Sequence, residues 1–145
     1  MKNTKGLPAD RQGFTLIELL IVIGIIGILS AFMVPAFFGV QDKAKEAGVK
    51  SVMHSVQLGV ESYNMENDTY PVATNIPLKT LYDNYLSIGG YVADLPKNPF
   101  TKKEYTDSDT SGKIIYTYDI ETNKYTITGY KKNGFSKVME LTNMD

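Results

Sequence analysis

The chain has 145 residues, no cysteine, one histidine and a formal net charge of -1 at pH 7. That length leaves room for one small domain and excludes a large enzyme core. The missing cysteines exclude a disulfide framework, and the charge balance offers no basic surface of the kind nucleic acid requires.

The charge is unevenly placed. Met1 to Gly13 holds Lys2, Lys5 and Arg11 against Asp10, a local +2, so the remainder carries -3. Gly6, Pro8 and Gly13 stand among polar residues, which denies this stretch a stable helix and predicts an exposed, removable leader over residues 1–13. Gly13 closes it, and a residue without a Cβ lets a protease approach the backbone closely.

From Phe14 to Val40 the sequence carries one charge, Glu18. Leu19 to Gln41 gives about 23 residues without an ionisable group, about 34 Å as a helix, which is enough to cross a bilayer core of about 30 Å. A secretory signal peptide has its cleavage site after a shorter apolar run. Here the only plausible processing point precedes the run. The basic leader predicts an N-in orientation, with everything beyond Val40 outside the cytoplasm. Gly24, Gly27, Ser30 and Ala31 are small enough for close helix approach. Pro35 cannot donate to the carbonyl of Ala31 and is expected to kink or loosen the helix. Glu18, an acid inside an apolar span, is by default functional.

Gly13, Phe14, Thr15, Leu16, Glu18 and Pro35 together form a pattern that resembles the prepilin leader and apolar segment of type IV pilins and type II secretion pseudopilins. The resemblance implies cleavage between Gly13 and Phe14 by a membrane prepilin peptidase, which also methylates the new amino terminus at Phe14. It implies assembly roles for Glu18 and Pro35, a helical homopolymer, an assembly ATPase with an inner-membrane platform, and residence in membrane lipid before assembly. It implies too that the helix between the glycine pair and Pro35 can lose order in the filament, a plain proline kink being the alternative.

Beyond Gly39 the pattern turns amphipathic. Val40, Ala44, Ala47, Val52, Val56, Val60 and Tyr63 fit one helical face. Asp42, Lys43, Lys45, Glu46, Lys50, Ser51, Gln57 and Glu61 fall on the other, with Glu46 and Lys50 as an i,i+4 pair. His54 lies among them and reads as a surface residue. The helix is expected to end near Met65, where Asn67, Asp68, Thr69 and Pro71 cluster. Asn67-Asp68-Thr69 also matches a glycosylation triplet, though a helix-ending turn explains it.

Pro77 suits a first helical turn, and Leu78, Leu81, Tyr82 and Tyr85 predict a short helix ended by Gly89-Gly90. Alternation of Ile114, Tyr116, Tyr118 and Ile120 with Ile115, Thr117 and Asp119, then of Tyr125 and Ile127 with Thr126 and Thr128, predicts a hairpin turning at 121–124. Phe135 to Leu141, after Asn133-Gly134, is a third candidate strand. Three strands need a cover, and the second half of the long helix supplies it.

The expected fold is α+β: a long N-terminal α-helix, membrane-spanning in its first half and amphipathic in its second, packed on a small antiparallel β-sheet. Its parts are a leader (1–13), an apolar half-helix (14–40) and a head (41–145). Within the head come the amphipathic half-helix (41–65), a connecting region (66–112) and the sheet (113–141).

No catalytic constellation, cofactor site or phosphate loop is visible. Asp107, Ser108 and Asp109 are oxygen donors close in sequence, but they lack the regular spacing of a calcium loop and read as a solvated turn. Type II major pseudopilins carry a Gly-rich acidic calcium loop near the C-terminus, whereas the corresponding Gly129 to Gly134 is basic here, and no metal is assigned. Most of the ten tyrosines lie in candidate strands or beside apolar neighbours, where aromatic packing accounts for them.

The function expected is a structural, non-enzymatic subunit of a type IV pilus-like filament, located in the cytoplasmic membrane before assembly and outside it afterwards. A type II secretion pseudopilin is the alternative. A membrane-anchored extracytoplasmic binding domain with an uncleaved anchor is the alternative from another class.

Overall fold

A computed structural model describes residues 13–143. The leader through Gln12, and with it most of the expected cleavage segment, lies outside the described residues, as do Met144 and Asp145. The chain divides into two compact units, one ending at Gly39 and one beginning at Val40.

Helix α1 is assigned over Leu16–Asn67 and stays helical through Pro35. In the first unit its large apolar side chains are exposed without exception among those described, from Leu16 to Phe37. A helix that is apolar all round and covered by nothing belongs in lipid or against other helices.

The second unit has its own core. Val49, Met53, Val56 and Val60 of α1 are fully buried, at steps of four, three and four residues that keep one stripe in register. The expected stripe is thus corrected: Val40, Ala44 and Ala47 are exposed, and the covered part begins at Val49. Gln57 and Glu61, expected on the solvated side, face partners instead. Gln57 is buried and donates to the Thr142 carbonyl at 2.8 Å. Glu61 accepts from the Tyr125 hydroxyl at 2.5 Å and the Tyr70 hydroxyl at 3.1 Å. Glu46 meets Lys131 at 3.7 Å. His54 is exposed.

The helix ends two residues beyond the expected point. Asp68 takes a left-handed backbone, φ 53°, and its N–H returns to the Asn64 carbonyl at 2.9 Å, a C-terminal closure of the αL kind. The Asn67 side-chain amide donates to the Tyr63 carbonyl and the Tyr91 hydroxyl, so the triplet's asparagine serves this helix end.

Four antiparallel strands follow in the order β1-β2-β3-β4: Ile76–Pro77, Ile114–Asp119, Lys124–Tyr130 and Lys137–Thr142. The predicted hairpin is β2 and β3, with Tyr116 opposite Ile127 and Tyr118 opposite Tyr125. Ile114, Tyr116, Tyr118, Tyr125 and Ile127 all point into the core, as their alternation requires. Strand β4 starts at Lys137 rather than Phe135, because Asn133 ties Phe135 and Ser136 into the preceding turn. Strand β1 is an addition to the three expected. It is two residues long, too short for alternation to reveal, and its proline is tolerated because the strand forms the edge of the sheet. Pro77 therefore ends a strand and caps a helix rather than filling a first helical turn. The short helix α2 is Leu78–Leu81, widened into a π-helical turn over Tyr82–Leu86.

Close approach of helix and sheet needs a gap in the side-chain layer. Gly129 of β3 supplies it: a Cβ there would run into the Met53 sulfur and lie 3.1 Å from a Val49 methyl. Likewise a Cβ on Gly59 would come within 2.5 Å of a Val92 methyl.

Candidate processing and assembly site

The start of α1 is held by two residues. The Thr15 carbonyl accepts the first helical bond, from the Leu19 N–H at 3.2 Å, which makes Thr15 the N-cap. Its hydroxyl oxygen accepts the Glu18 N–H at 3.3 Å, while a Glu18 carboxylate oxygen accepts the Thr15 N–H at 2.9 Å and the Thr15 hydroxyl at 2.7 Å. This reciprocal arrangement is a capping box, Thr-x-x-Glu. It satisfies two N–H groups that would otherwise be orphaned at a helix start lying in an apolar setting.

Glu18 therefore has a structural partner within its own chain. The carboxylate curls back toward the amino-terminal end, one residue from the Phe14 nitrogen. Thr15 was named in the motif but given no role by sequence reasoning, although the signal was the Ser/Thr-x-x-Glu spacing before an apolar run.

Gly13 and Phe14 stand just outside the helix. Space around Gly13 is open to 4 Å, and Phe14 is 84% exposed. Gly13, Phe14 and Glu18 are thus gathered at one accessible end. Pro35 is not part of that group; it lies 17 helical residues beyond Glu18, about 25 Å along the axis. A Cβ added at Gly24 or Gly27 would likewise meet nothing within 4 Å beyond its own stretch of helix.

The acidic turn is occupied by its own hydrogen bonds. Asp109 accepts from the Asn98 amide at 3.0 Å, the Thr106 N–H at 3.2 Å and the Thr106 hydroxyl at 2.9 Å. Asp107 accepts from the Thr80 hydroxyl at 2.8 Å. Among the described residues no group of three or more acids or histidines is placed to hold a metal.

Residues 8–34 match the family described as the prokaryotic N-terminal methylation motif. A protein of Pectobacterium carotovorum subsp. carotovorum, the type II secretion system core protein G, is 33% identical over 124 residues, covering 78% of each chain. This chain belongs to the type IV pilin and type II secretion pseudopilin family. The core protein G of Vibrio cholerae serotype O1 is 33% identical over 98 residues, 62% of this chain and 66% of that protein. The type IV major pilin protein PilA of Myxococcus xanthus is 39% identical over 70 residues, 48% of this chain and 31% of the pilin. No solved structure matches. The fold, a long N-terminal helix packed on an antiparallel sheet, is pilin-like.

Proposed function

We propose that this chain is the repeating subunit of an exported helical filament, of the secretion pseudopilus type. It is inserted N-in in the cytoplasmic membrane as a leader (1–13), a membrane-spanning half-helix (14–40) and an extracytoplasmic head (41–145). A prepilin peptidase cuts between Gly13 and Phe14 and methylates the freed Phe14 nitrogen. The observation that carries this reading is a capped helix whose described large apolar side chains from Leu16 to Phe37 are all exposed, and which begins two residues after Phe14's peptide bond to an accessible glycine.

Energetics supply the partners. Moving some twenty apolar side chains from lipid into water, at about 1.5 to 3 kcal/mol each, would cost tens of kcal/mol. Subunits therefore pass laterally from lipid into an equally apolar filament core, driven by an inner-membrane platform with an assembly ATPase. Pro35 and the small residues Gly24 and Gly27 let neighbouring helices approach and adjust there. The role is structural, with no catalytic residue assigned.

The secretion type is favoured because the match to core protein G runs over up to 124 residues and 78% of this chain, against 70 residues and 48% for the major pilin. The surface pilus is the second reading, carried by the 39% identity to a major pilin over 70 residues. Electron microscopy of the cell surface separates them.

Gly13 gives the direct test. Replacing it by leucine adds bulk where the peptidase must approach the backbone. The Gly13→Leu protein is expected to accumulate as full-length precursor in the membrane fraction, seen as a slower band on a gel. Wild-type maturation of that variant would refute the assigned cleavage site.

A further inference from the structure

The turn joining β3 to β4 presents a bare aromatic ring. Phe135 is 87% exposed, yet the turn that carries it is firmly built. The Lys131 N–H donates to the Ser136 carbonyl at 2.8 Å, and the Asn133 side-chain oxygen accepts the N–H groups of Phe135 and Ser136, both at 3.0 Å. Gly134 is buried at φ +73°, where a Cβ would stand 2.8 Å from the Thr110 carbonyl oxygen. The turn carries the Phe135 ring on its outer side.

The turn is tied to the stretch of α1 that directly follows the apolar segment. Lys132 meets Asp42 at 3.4 Å and Lys131 meets Glu46 at 3.7 Å. Asp42 is two residues past Val40, so at most about 7 Å of chain separates it from the end of the apolar segment, whatever path the chain takes. The opposite end of the sheet is remote. Tyr125, at the start of β3, bonds to Glu61, 15 helical residues or about 22 Å beyond Glu46. The two ion pairs are surface pairs of small net worth, and Lys132 is 65% exposed, so these lysines can turn to other anions.

We propose that this turn is a membrane-interface anchor: in the unassembled subunit Phe135 enters the headgroup layer of the bilayer that holds the apolar helix, with Lys131 and Lys132 on anionic lipid phosphates. A phenyl ring can bury at the boundary of headgroups and acyl chains while flanking lysines reach the anionic phosphates. The covalent tether supplies a high local concentration of lipid, so one ring suffices where a free head would not bind. The anchor rests on the membrane-inserted precursor proposed above. It fixes how the head stands on the membrane before it is drawn into the filament.

The chain has no tryptophan, so a single one reports its own surroundings. The full chain is reconstituted in vesicles as Phe135→Trp and, separately, as Ile120→Trp, an exposed position at the far hairpin. In phosphatidylglycerol-rich vesicles Trp fluorescence of the Phe135→Trp protein should shift to shorter wavelength and lose most of its intensity to lipids brominated near the headgroup. That of Ile120→Trp should match tryptophan in water. Adding Lys131→Gln and Lys132→Gln should restore much of the lost intensity. The anchor is overturned if the protein floats with the vesicles at high salt but the position 135 signal escapes bromine quenching, or if both positions are quenched alike. A blue shift without bromine quenching means a protein neighbour and overturns it too. Equal quenching in pure phosphatidylcholine would overturn the role of anionic phosphates. Failure to float would instead overturn the inserted precursor, and the anchor with it.

Discussion

Glu18→Ala is expected to insert in the membrane and to be cleaved after Gly13, yet to yield essentially no filament. Two roles for the carboxylate must be separated, because the structure gives it one that the apolar setting of the residue did not suggest. As the reciprocal partner of Thr15 it caps the helix, and losing a cap costs about 1 kcal/mol. As a charge, it can receive the positive amino terminus that cleavage creates at Phe14, either in its own subunit or from an incoming neighbour. At about 4 Å and an effective dielectric near 20 that attraction is roughly 4 kcal/mol before desolvation. A subunit docked one step out of register leaves both ions unpaired, and breaking a buried pair costs about 3 to 5 kcal/mol. The charge outweighs the cap, and it discriminates between registers where the cap does not.

Glutamine tells the two apart, since it keeps the capping acceptor and removes the charge. Filament yield from Glu18→Gln as sole subunit should be as low as from Glu18→Ala, with the precursor still processed. Near wild-type yield from the glutamine variant would leave the cap as the only function of Glu18 and refute the register role.

The head should unfold in alkali before three of its buried tyrosines ionise. Tyr105, Tyr116 and Tyr125 are buried, their hydroxyls donating to the Gly112 carbonyl, the Pro71 carbonyl and Glu61. Burial pushes all three phenols well up. The carboxylates of Asp109, beside Tyr105, and of Glu61, beside Tyr125, add to it. Each folded pKa lies above the unfolded value of about 10, so the folded state keeps protons that the unfolded chain releases. Stability from this source is whole below about pH 10 and falls as pH rises toward the folded values, by about 1.4 kcal/mol per pH unit for each phenol still protonated. A domain has only about 5 to 15 kcal/mol to lose. Tyrosinate absorbance of these three residues is therefore expected to appear together with the loss of circular dichroism, in one cooperative step above about pH 10. Tyr116→Phe should flatten the dependence by one proton. Gradual ionisation of all the tyrosines near their ordinary value, with the fold intact, would contradict the packing described.

What the sequence could reveal follows from which signals are periodic. The alternation of Ile114, Tyr116 and Tyr118 against Tyr125 and Ile127 places the central hairpin because period two is long enough there to be read. Ile76–Pro77 offers two residues, and no alternation exists in two. The helix stripe was legible as a stripe but not as a boundary. Small apolar residues at Val40, Ala44 and Ala47 continue the pattern, while full burial against the sheet begins only at Val49 and depends on the missing side chain of Gly129, 80 residues away. A helical wheel puts Gln57 and Glu61 in solvent because local spacing carries no information about Thr142, Tyr70 and Tyr125, which the fold brings beside them. At the amino-terminal site the residues themselves, Gly13, Phe14 and Glu18, could be read directly. The Thr-x-x-Glu spacing of Thr15 and Glu18 is equally legible as a capping box, while the cost of an acid in an apolar segment points to the charge.

The central claim is that Gly13 and Phe14 part and that the apolar helix stays on the mature protein. Mass spectrometry and N-terminal sequencing of the subunit taken from its native membrane test it most directly. A chain beginning at N-methylated Phe14, with Thr15, Leu16 and Glu18 following, is the predicted result; a chain still beginning at Met1 would contradict it.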